Sequence, residues 1–159
     1  MSAVSEEHGE VLTTALSDLA VQSEASIVIL SDSGGNILAE SVGASAKMTP
    51  TLSALAAGSF AATRELAALV GEQSFQSIYQ QGEEFSIYVH GVGEHYLLLV
   101  VFDRNTTVGL VKLYVEKTAL EIRPVLARVD GQDVESAGSG ETFEMDSSAD
   151  IFSGLRSET

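Results

Sequence analysis

Chemistry in this chain would have to come from imidazoles, carboxylates and hydroxyls, because the sequence contains no cysteine. That removes thiolate nucleophiles, thiolate metal sites and disulfides together. The histidines are His8, His90 and His95. His90 and His95 flank a predicted hairpin turn with Glu94 between them, so two imidazoles and a carboxylate could approach one metal ion. Exposed side chains at strand ends are the plainer expectation, and we expect no metal site. Gly34-Gly35 sits in a predicted hairpin with no following Lys, which rules out a phosphate-binding loop of a nucleotide hydrolase. Glu83-Glu84 reads as a solvated turn, and Asp103 as part of a strand-to-helix turn. No Ser or Thr has an identifiable His and Asp partner set. The expectation is a protein with no catalytic residues, no metal and no cofactor.

Charge narrows the partners. The 159 residues carry a formal net charge of -15, with only eight Lys and Arg, scattered along the chain. From Asp130 to Thr159 the net charge is -7, with eight acidic residues against Arg156. Nucleic acid and anionic membrane surfaces need a basic stripe, so both are disfavoured. An acidic surface is foremost a solubility device. The polar, acidic start is unlike a secretory signal, and the longest apolar run, Tyr96 to Phe102, is too short to span a bilayer. These features predict a cytoplasmic protein without integral membrane contact.

Several elements can be read from spacing. Val11, Leu12, Ala15, Leu16, Leu19 and Ala20 recur at helical intervals, predicting a helix over about residues 5–23. Ile27 to Leu30 is apolar at every position, as in a strand covered on both faces. Asp32-Ser33-Gly34-Gly35-Asn36 supplies turn chemistry, and Ile37 to Val42 completes a hairpin. Thr49-Pro50 predicts a helix start with Thr49 as N-cap, and Gly71 a stop. That second helix is rich in small residues: Ala54, Ala56, Ala57, Gly58, Ser59, Ala61 and Ala62. Gly58 in mid-helix costs roughly 1 kcal/mol against Ala, which suggests a close contact there. Phe75 to Gln81 is a polar edge or interface strand. Phe85 to Val89 alternates, and Tyr96 to Phe102 should lie centrally. Val108 to about Val129 is a closing helix that Pro124 should kink or restart.

The order is α-β-β-α-β-β-β-α. It implies an α+β, three-layer domain with one five-stranded antiparallel sheet over residues 1–129. Residues 130–159 read as an acidic disordered tail. Within it, residues 149–156 form a small apolar island, where Ile151, Phe152 and Leu155 could make a short binding motif.

Thr51 to Glu72, Tyr79-Gln-Gln-Gly82 and above all Leu99 to Leu113 resemble the Roadblock (dynein light chain-like) domain family. They are most similar to its bacterial gliding-motility MglB group. The resemblance reaches from about Ser26 to Ile122, and the end of the tail, Asp150 to Leu155, resembles some MglB extensions. It implies a homodimer formed by pairing second helices and third strands, so that two sheets become one. Carried onto this sequence, the dimer interface would use Ala54, Gly58, Ala62, Phe75, Ile78 and Tyr79. It further implies that the dimer binds a small Ras-like GTPase (MglA in that group), speeds its GTP hydrolysis and acts in cell polarity or motility. The GTPase face implied here is Ser53, Ala57, Ala61, Arg64, Glu65 and Ala68. Arg64 and Glu65 depart from the small, uncharged character expected there. Activation in the group reorders the GTPase's own switch residues, so neither Arg64 nor Arg104 is assigned as an inserted arginine. The alternative is a Roadblock scaffold that bridges a GTPase or another protein without changing its rate. A small-ligand sensory domain of similar layered shape is a remote third reading.

Overall fold

The computed structural model describes residues 5–41, 43 and 48–137. The elements follow the predicted order: α1 (Glu6–Ser23), β1 (Ile27–Asp32), β2 (Ile37–Glu40), α2 (Thr49–Leu69), β3 (Ser77–Gln81), β4 (Phe85–Val92), β5 (Tyr96–Asp103) and α3 (Val108–Ala137). The five strands form one antiparallel sheet in the order β2-β1-β5-β4-β3.

Strand alternation divides the core into two layers. Val28, Leu30, Tyr88, Leu98, Val100 and Phe102 point to one face, where α1 and α3 cover them. Ile29, Val89, Leu97 and Leu99 point to the other, where Ala57 and Phe60 of α2 pack. Because β1 and β5 are central and covered on both sides, they read as unbroken apolar runs. The three-layer α+β expectation holds.

Among the boundaries that differ, four have a clear physical reason. Strand β2 ends at Glu40, because Ser41 then turns its hydroxyl onto the chain to accept from Val28 N at 3.0 Å. Strand β3 starts at Ser77, paired with His90, so Phe75 lies before it. The N-cap of α2 is Met48, and Thr49 is instead its first helical residue, buried. Helix α3 continues to Ala137, past the expected tail boundary at residue 130. Tyr96 on β5 hydrogen-bonds the carboxylate of Asp130, which holds that turn of α3 against the sheet. The helix also runs through Pro124 without a break. Leu120 and Pro124 both lie on its exposed side, so water can take the carbonyl that proline leaves unbonded. Gly71 closes α2 as expected, with a positive φ of 81°. The tail residues Ile151, Phe152 and Leu155 lie outside the described residues.

Candidate protein-interaction surface

Helix α2 is apolar nearly all round, although only one of its sides is covered. Its inner side carries Ser53, Ala57, Phe60 and Ala67, all buried on the sheet. Its outer side carries Leu55, Gly58, Ala62, Leu66 and Leu69, spaced at helical intervals and exposed to solvent. Leu55 is 70% exposed and Leu69 83%. A helix with apolar residues on every side belongs in an interior, so a solvated outer stripe of this kind marks a surface made for contact.

The six residues expected on the GTPase face divide accordingly. Ala61, Arg64, Glu65 and Ala68 are exposed. Ser53 and Ala57 are not: they are 1% and 5% exposed. The correction has a geometric cause. Ser53 donates to Gly35 O at 2.7 Å, and one turn later Ala57 packs on the sheet, so this stripe of α2 faces its own core. Arg64 is held in place: its guanidinium donates to Glu94 O at 3.1 Å and lies 5.7 Å from the centre of the Phe60 ring.

The residues expected at a dimer interface fall on two adjoining features. Ala54, Gly58 and Ala62 are exposed on α2. A Cβ on Gly58 would meet nothing within 4 Å, so no close contact inside this chain explains the glycine. Ile78 and Tyr79 lie on β3, which pairs with β4 on one side only. Ile78 is half-buried toward α2, while Tyr79 points to the opposite face and stacks on Phe102 with centroids 6.2 Å apart. Phe75 is exposed just ahead of the strand. An open edge strand beside an exposed apolar helix is the combination that proteins otherwise protect.

The comparison with known proteins fits this arrangement. The sequence model of the Roadblock/LC7 domain matches residues 12–102, from within α1 to the end of β5. The chain belongs to the Roadblock/LC7 domain family. Among solved structures, this Roadblock/LC7 domain is similar to MglB of Myxococcus xanthus, with 29% identity and a TM-score of 0.74, covering 81% of this chain and 96% of that one. It is similar to the gliding protein MglB of Thermus thermophilus at 32% identity and TM-score 0.72, over 78% of this chain and 94% of the other. An MglB with a tetrameric arrangement is 31% identical with a TM-score of 0.75, over 80% and 96%. No curated protein matches by sequence.

Sequence reasoning missed the outer leucines of α2. The signal was present as a second apolar stripe on a helix whose first stripe already accounted for the core. It also expected His90 to be exposed, whereas His90 is buried under α3 with its Nδ1 unpartnered. The imidazole is held below its usual pKa, first by burial; the Glu116 carboxylate pulls the other way, and the positive charges of Arg123 and Lys112 add smaller pushes downward. No group of three metal-ligating side chains forms among the described residues, and no helix there is long and apolar enough to cross a membrane.

Proposed function

We propose that this chain is an MglB-like regulator: a homodimer, without a catalytic site of its own, that binds a Ras-like GTPase and accelerates its GTP hydrolysis. The observation that carries the reading is the solvated apolar stripe of α2 beside the open edge of β3, on a chain similar to MglB structures over most of its length. Two copies joined along these features would cover the stripe and extend the sheet. The remaining exposed side of α2, at Ala61, Arg64, Glu65 and Ala68, would then meet the GTPase. Arg64 is engaged with the Glu94 carbonyl, which suits a role in shaping that surface rather than reaching into a nucleotide site. The same reading implies a cytoplasmic protein, concentrated at a cell pole, that serves polarity or gliding motility.

The test mixes the protein with a Ras-like GTPase from the same genome, loaded with GDP or a non-hydrolysable GTP analogue, on size-exclusion chromatography with light scattering. The expected result is a complex of two copies with one GTPase, formed with the GTP analogue only. GTP turnover should then rise more than tenfold. Binding that ignores the nucleotide, with unchanged turnover, would replace the activator by a scaffold.

A further inference from the structure

The end of the sheet opposite the β3–β4 turn holds a cavity of about 670 Å³. It exists because β3 begins only at Ser77, while β4 runs on to Val92 and then turns, leaving the segment from Val92 to His95 without a strand on the β3 side. Arg64 of α2 and Arg123 of α3 both line it, as do His90 and His95. This is a marked concentration of positive and imidazole groups in a chain with eight Lys and Arg against 23 Asp and Glu.

Neither arginine is neutralised. Among the described residues no carboxylate forms an ion pair with Arg64 or Arg123, and the Arg64 bond to Glu94 goes to the backbone carbonyl. Glu94 also lines the cavity and is the one acidic residue in its wall. His90 also forms part of the cavity wall, with its Nδ1 buried away from solvent.

We propose that this cavity binds a small phosphate-bearing molecule, with Arg64 and Arg123 as the cationic groups that hold its phosphate. Guanidinium groups present several donors in a planar fork that suits phosphate oxygens. The volume lies in the range of small-molecule sites and exceeds what a bare ion fills. Phe60 and Phe75, also in the wall, offer apolar surface to the rest of the ligand. Arg64 and Phe75 belong both to this cavity and to the surfaces assigned above to the GTPase and the dimer, so the test turns on Arg123, which belongs to neither.

Inorganic phosphate is the probe, with malonate as a carboxylate control, on the full chain. Phosphate should raise the calorimetric melting temperature in proportion to ln(1 + c/Kd), with c the phosphate concentration, by about 3 °C at ten times its Kd. The increment should vanish in Arg123→Gln, whose side chain is exposed and can change without disturbing the core. Proton–nitrogen NMR on the parent protein should show the His90 and His95 resonances moving together with phosphate. An equal rise in the parent and in Arg123→Gln would reveal general salt stabilisation and overturn the proposal. So would unmoved histidine resonances, or a response to malonate as large as that to phosphate.

Discussion

The hydroxyl of Ser53 donates to the carbonyl of Gly35 at 2.7 Å, joining α2 to the β1–β2 turn between residues 18 positions apart. The contact is close because Gly35 has φ of 91° and no side chain: a Cβ there would stand 2.9 Å from Ala54 Cα. Both the dihedral and the backbone neighbour oppose substitution. Gly35→Ala should therefore lower stability by about 1–3 kcal/mol from the dihedral alone, with the clash added. Urea denaturation is the check. A loss under 0.5 kcal/mol, on the order of an ordinary surface change, would mean that α2 is not seated on this turn.

The same seating separates Ala57 from Ala61, which lie one turn apart on α2. Ala57→Arg would bury a charge against Ile29 and Leu99 and should unfold the domain, costing on the order of 4 kcal/mol or more. Ala61→Arg should leave the melting temperature nearly unchanged, since Ala61 is exposed, yet abolish GTPase binding. Calorimetry and a pull-down on both variants distinguish the two outcomes. Normal binding by Ala61→Arg would move the GTPase face off this side of α2.

What was legible in the sequence follows from what periodicity encodes. Alternation and turn chemistry give the succession of elements along the chain and its hairpins, and the fully apolar runs at Ile27 to Leu30 and Tyr96 to Phe102 announce the central strands. Periodicity does not say which side of an all-apolar helix meets its own sheet. Small residues at Ser53, Ala57, Ala61 and Ala62 look alike in sequence, and only the Ser53–Gly35 bond and the position of Phe60 choose between them. His90 was hidden for a related reason. One strand side chain beside a turn carries no mark of the helix that will cover it.

Gly58 offers a test of the dimer that does not involve the GTPase. It is exposed in mid-helix, and a Cβ there meets nothing within the chain. For an isolated α2 surface, Gly58→Ala would add about 1 kcal/mol of helix stability. With two helices packed at this point, a larger side chain instead separates them. Gly58→Arg should thus sediment as a monomer at concentrations where the parent is a dimer, while its far-UV circular dichroism stays unchanged. A dimer of undiminished strength in Gly58→Arg would take α2 out of the interface.

His90 gives the pH dependence a sign. The groups acting on it are Glu116, Arg123 and Lys112 across from it on α3, and Tyr88, whose ring stacks 6.2 Å away on the same strand. Burial above all holds its folded pKa below the unfolded value of about 6.5, against the pull of Glu116 and with smaller help from the two cations. Between those two values the unfolded chain binds the extra proton and the folded chain does not. Stability is thus complete above about pH 6.5 and falls as the pH drops toward the folded value, where the loss levels off. His90→Gln removes the titration while keeping a polar side chain of similar size. Its melting temperature should fall less steeply than the parent's between about pH 7 and 5. Parallel curves for the two proteins would show that His90 titrates alike in the folded and unfolded states, and would contradict its burial.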